Sequence, residues 1–81
     1  PNPIRTNSQI SATVSQTGSY RLVIYSLTGQ EIAQKSMGVL QPGEKLNWNI
    51  SSNQLSSSGV YVLALWHNDT LVQHKKLSFL P

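Results

Sequence analysis

The chain reads as an all-β domain, an antiparallel β-sandwich of six to seven short strands, and three observations carry that reading. Apolar residues alternate with polar ones in several short runs, turn residues recur at intervals of about 8 to 12 positions, and no window holds a 3.6-residue apolar period. With 81 residues there is room for one domain, 1–81, and one core, because a chain this short hides only about 60 to 65% of its unfolded surface.

The elements follow in order. Ile10, Ala12 and Val14 alternate with Ser11, Thr13 and Ser15, the period of a strand with one face buried. Gly18 then marks a turn. Tyr20 to Tyr25 is rich in β-branched and aromatic residues and predicts a central strand, with Tyr20, Leu22 and Ile24 on one face. Ser26 to Gln30 closes it as a hairpin connection, with Gly29 supplying the positive φ such loops need. The next strand runs from about Glu31 to Met37. Pro42-Gly43 predicts a tight turn, because proline presets the second turn position and glycine accepts the left-handed third. Leu46, Trp48 and Ile50 alternate after it, which places Trp48 in the core. Ser51 to Ser58 is a polar loop whose one apolar residue, Leu55, is expected to fold back as a plug. Gly59 opens the longest apolar stretch, Val60 to Trp66, with Trp66 on the face opposite Tyr61 and partly exposed. An Asn68-Asp69 turn and a last strand from Thr70 to about Leu80 complete the chain.

The last hairpin contains a conflict. A plain two-residue turn pairs Tyr61, Leu63 and Leu65 with Lys76, His74 and Val72, an apolar face against a mostly polar one. An odd loop or a bulge shifts the pairing by one residue and brings Leu71, Leu77 and Phe79 onto the face of Tyr61, Leu63 and Leu65. The odd loop or bulge is therefore expected, because a one-residue slip decides which face is buried.

Composition removes several chemistries. There is no cysteine, so disulfides, thiol nucleophiles and thiolate metal sites are excluded. Charged residues make up 11%, against about 25% in an average soluble domain, and Ser, Thr, Asn and Gln carry the polarity, as suits an extracellular or cell-envelope setting. The net charge of +3 is spread along the chain, and Lys75-Lys76 is its one cluster. Without a basic stripe, aromatic platform or helix-turn-helix pattern, nucleic acid is not an expected partner. No run approaches the roughly 18 apolar residues of a membrane span, and Pro1-Asn2-Pro3 is not the start of a signal peptide, so any export signal of that kind lies elsewhere on a parent chain.

Catalytic and metal readings fare no better. Glu31, Glu44 and Asp69 are the three carboxylates, each at or beside a turn rather than paired across a cleft. His67 and His74 either share a face four residues apart, about 13 Å at the usual strand rise, or face opposite sides, and no third ligand accompanies them. The 12 serines include no Gly-x-Ser-x-Gly elbow. No catalytic residue, metal site or cofactor is expected. Asn49-Ile50-Ser51 and Asn68-Asp69-Thr70 match the glycosylation sequon. Trp66 is a possible carbohydrate contact, although surface aromatics mark a site only when grouped.

Three elements occur in a recognisable order: Pro1-Asn2-Pro3, then Tyr25 to Glu31 (Tyr-Ser-Leu-Thr-Gly-Gln-Glu), then Ser58-Gly59-Val60-Tyr61-Val62 before a terminal strand bearing Lys75-Lys76-Leu77. That order resembles the C-terminal sorting domain of type IX secretion, type A, carried by exported proteins of Bacteroidetes and their relatives. The resemblance implies an immunoglobulin-like antiparallel β-sandwich at the end of a larger cargo protein. It implies an outer-membrane translocon that reads the domain as an address, and a sortase-like peptidase that removes it and joins the cargo to anionic lipopolysaccharide. The destination is then the cell surface or the medium of a Gram-negative bacterium, by way of the periplasm. The family motif falls on Pro1, Asn2, Pro3, Gly29, Gly59, Tyr61, Lys75 and Lys76. A second family is similar: Leu40 to Trp48 (Leu-Gln-Pro-Gly-Glu-Lys-Leu-Asn-Trp) resembles the Leu-x-x-Gly-Glu-x-x-x-Trp stretch of the flagellar hook-capping immunoglobulin-like domain, whose Asp-Gly after the tryptophan is replaced here by Asn49-Ile50. That resemblance implies an accessory domain of an extracellular enzyme with a stabilising, spacing or weak carbohydrate-binding role. The fold alone also accounts for many motif residues, with Gly29 and Gly59 as turn glycines and Tyr61 as a core aromatic. Lys75 and Lys76 have the least packing purpose and are the favoured recognition contacts.

Overall fold

The computed structural model of the chain describes residues 3–4, 7–51 and 59–79. The expected Leu55 plug, the Pro1-Asn2 start and Leu80 lie outside the described residues. The elements are strands β1 (Pro3–Ile4), β2 (Asn7–Thr13), β3 (Gly18–Ser26), β4 (Glu31–Leu40), β5 (Lys45–Ser51), β6 (Gly59–His67) and β7 (Thr70–Phe79). They form a five-stranded sheet in the order β1-β7-β6-β3-β4, faced by a two-stranded sheet of β2 and β5. The chain changes sheet between β1 and β2, β2 and β3, β4 and β5, and β5 and β6, leaving β3–β4 and β6–β7 as hairpins within one sheet. Every pairing is antiparallel except that of β1, which runs parallel to the end of β7. This is the small antiparallel β-sandwich that the alternation predicts.

The core lies between the sheets. Tyr20, Leu22 and Ile24 of β3, Tyr61 and Leu63 of β6 and Leu77 of β7 pack against Leu46, Trp48 and Ile50 of β5, with Val14 at one end. Trp48 is 3% exposed, in phase with its two buried neighbours as its alternation requires. Burying each of the large aliphatic side chains here stabilises the fold by about 1.5–3 kcal/mol. On the outer face of the large sheet Val23 pairs with Ala64, and both are buried.

Sequence and structure differ in three places. β4 extends past Met37 to Leu40 because a bulge between the Tyr20–Gly38 and Arg21–Ser36 pairs absorbs the extra residue. β1, for which the alternation gave no strand, pairs Pro3 with Ser78 and Ile4 with Phe79. In the last hairpin the expected bulge is present, but it slips the other way. Asn68 and Asp69 form a two-residue turn with φ of 49° and 66°, both left-handed as a type I′ hairpin turn demands. The ladder then shifts between Trp66–Leu71 and Leu65–Gln73, leaving Val72 as the extra residue. Leu77 pairs with Tyr61 and is buried, as expected, whereas Leu71 pairs with Trp66 and is exposed, so its expected place on the Tyr61 face is corrected.

Candidate functional site

Register places the motif residues together. Ser26, at the end of β3, pairs with Tyr61 of β6, which pairs with Leu77 of β7, so one row crosses the large sheet. Gly29 lies in the turn just beyond Ser26, Gly59 opens β6 two residues before Tyr61, and Pro3 pairs with Ser78 alongside. Segments far apart in the chain thus meet at one end of the five-stranded sheet. Pro1 and Asn2 lie outside the described residues.

Local chemistry fixes this end. Gly29 has φ of 93°, in the region where a Cβ costs about 1–2 kcal/mol. Its N–H donates to the Ser26 carbonyl at 3.0 Å, while the Ser26 N–H donates to the Gln30 carbonyl at 2.8 Å. The Ser26 hydroxyl lies 2.8 Å from that of Thr28 and accepts the Gln30 N–H at 3.2 Å. Backbone bonds among Ser26, Gly29 and Gln30 and the hydroxyls of Ser26 and Thr28 therefore replace the ladder bonds that end where the hairpin turns. Tyr61 is 7% exposed and belongs to the core, so its contribution to this end is to hold β3, β6 and β7 in one row.

Lys75 and Lys76 are neighbours in sequence but not in space. Lys76 pairs with Val62 and stands on the outer face, in the row that runs through Tyr25 to Glu31 on β4. Lys75 pairs with Leu63 on the inner side, and it rims a groove of about 110 Å³ where the two-stranded sheet stops short of β7. Lys35 on β4 occupies the matching inner position beside Leu22. β7, beyond the two residues that β1 covers, and the edge strand β4 thus each carry an exposed lysine on the inner side of the large sheet.

The model of one family, the secretion system C-terminal sorting domain, matches residues 1–78. The chain belongs to that family. No curated protein and no solved structure matches it significantly. The sorting domain is the C-terminal signal of a larger cargo protein that type IX secretion exports and attaches to the cell surface, and its family is not a catalytic one. No helix among the described residues is long and apolar enough to cross a membrane.

The opposite end of the sorting domain holds features that sequence reasoning missed. His67 stacks on Tyr20 with centroids 4.7 Å apart, and its Nε2 lies 3.0 Å from the Thr17 carbonyl, which makes Nε2 the protonated nitrogen. Tyr20 donates its hydroxyl to the Gln16 carbonyl at 2.6 Å. His74 pairs with Ala64 on the outer face, away from His67. Arg21 stacks over Trp66, its guanidinium carbon 5.0 Å from the ring centroid. Each of these residues sits on the face its alternation gives it, but the contact between them needs the β3–β6 pairing, for which one sequence carries no signal.

Proposed function

We propose that the motif-bearing end of the sandwich is the surface that the outer-membrane translocon reads, with Lys76 and Lys75 as its contacts. The observation that carries this reading is the convergence of Pro3, Gly29, Gly59 and the end of β7 from four separate segments. Among the described residues, β1 covers the outer edge of β7 only at Ser78 and Phe79. The rest of that edge can accept an added strand through its main-chain donors and acceptors. Lys76 on one face and Lys75 on the other would steer an acidic partner toward it. Gly29, Gly59 and Tyr61 act by shaping this end rather than by touching the partner. A sortase-like peptidase would then remove the domain and leave the cargo at the cell surface or in the medium. The module itself supplies no catalysis on this reading, since Glu31, Glu44 and Asp69 stand at separate turns or strand ends.

Charge reversal tests it. In the complete cargo protein, Lys75→Glu with Lys76→Glu should leave the cargo in the periplasm with the thermal midpoint of the domain unchanged, while Lys35→Glu on the other edge strand should export normally. Normal export of the double variant would remove the lysines from the recognition surface.

A further inference from the structure

At the end of the sandwich away from the motif residues, a cleft of about 290 Å³ lies beside the β6–β7 turn, lined by Ser19, Arg21, Ser36, Trp66, Asn68 and Asp69. Its volume is close to the lower bound of about 300 Å³ for small-molecule sites, so it suits one ring rather than a chain of them. We infer that this cleft is a subsite for a neutral sugar in its pyranose form, a function separate from sorting.

The chemistry of the lining selects that class. Arg21 offers a guanidinium fork and Asp69 a carboxylate, and these opposite charges line one cleft without forming an ion pair with each other. A simple anion would satisfy Arg21 and be repelled by Asp69; a simple cation would meet the reverse problem. A hydroxyl group both donates and accepts, so adjacent sugar hydroxyls can donate to Asp69 and accept from Arg21. The hydroxyls of Ser19 and Ser36 add donors and acceptors of the same kind. Trp66 supplies an aromatic wall, and its Nε1–H is buried with no acceptor among the described residues, a state most buried polar groups avoid.

The site is also held in place. The Asn68 N–H donates to the Ser19 carbonyl at 2.8 Å, and the Ser19 N–H donates to the Asn68 Oδ1 at 2.9 Å. These bonds fix the turn that carries Asp69 before any ligand arrives, which lowers the ordering cost of binding. Because the motif residues stand at the other end of the sheet, a sugar can occupy the cleft while that end is engaged.

The test is titration of the ¹⁵N-labelled domain with the methyl pyranosides of glucose, mannose and galactose and with N-acetylglucosamine, and with sodium sulfate as the anion probe. The two tryptophans give two indole N–H signals, and buried Trp48 is the internal control. At least one sugar should move the Trp66 signal saturably at millimolar concentration while Trp48 stays still. Asp69→Asn, which keeps a residue tolerant of left-handed φ, and Arg21→Gln should each weaken that response about tenfold or more, with an unshifted Trp48 signal reporting an intact fold. No saturable shift with any of the sugars, an equal response to sulfate, or undiminished binding by Asp69→Asn would each overturn the proposal.

Discussion

Deleting Val72 should be nearly silent, whereas inserting one residue two positions further on should be severe. Val72 is the extra residue of the β7 bulge and is 55% exposed. Removing it joins the Asn68–Asp69 turn to a regular ladder and leaves Gln73 opposite Leu65, Lys75 opposite Leu63 and Leu77 opposite Tyr61. Little apolar burial is lost, so the cost should stay below about 1 kcal/mol, at the mild end of what single changes do. A serine inserted between His74 and Lys75 instead moves Lys76 opposite Tyr61 and sends Leu77 to the outer face. Leu77 is 5% exposed in the native fold, so about 1.5–3 kcal/mol of burial is lost, and drawing a lysine toward the core adds to that. A total of about 3 kcal/mol is a large part of the roughly 4–12 kcal/mol available to a domain of this length. Urea unfolding followed by Trp48 fluorescence would read it as a midpoint shift of roughly 3 M for a slope near 1 kcal/mol/M. Equal destabilisation by the deletion and the insertion would refute the argument that register decides which face of β7 is buried.

Two further substitutions test the packing. An alanine at Gly18 would place its Cβ against the His67 ring and 2.9 Å from the Asn68 Nδ2, at a φ of 157°; displacing the His67 stack and straining the backbone should cost about 2–4 kcal/mol. Gly29→Ala, which meets nothing within 4 Å, should cost only the roughly 1–2 kcal/mol of its backbone conformation, so equal midpoints for the two variants would count against the close approach. Ile24→Ala removes a side chain that is 0% exposed at the centre of the sandwich and should cost about 2–5 kcal/mol in the same assay; a loss below 1 kcal/mol would mean that this core is not packed as described.

Much of the fold was legible because alternation reports burial directly. Leu46, Trp48 and Ile50 read as one buried face and form one, and the positive φ values of Gly29 and Gly43 fall where their turns predicted them. The face conflict between Leu63 and His74 was enough to require a bulge in β7, although not its direction, because either one-residue slip restores the same parity. Leu71 misled for that reason: it lies before the bulge, where the ladder still follows the two-residue turn. The short β1 was hidden because two residues carry no period, and its pairing with β7 is a contact between the two ends of the domain. The candidate site was legible as residues but not as a place. Lys75 and Lys76 looked like one cationic patch, and strand geometry sends them to opposite faces. The meeting of Arg21 with Trp66 depends on strand order, which local patterns do not encode.

The most direct test of the sorting function is to fuse this domain to the C-terminus of a periplasmic reporter in a host with type IX secretion and to assay the cell surface and the medium. Reporter on the surface or in the medium is the predicted result. Reporter held in the periplasm with the domain folded would contradict the sorting role and favour an accessory domain of an extracellular enzyme.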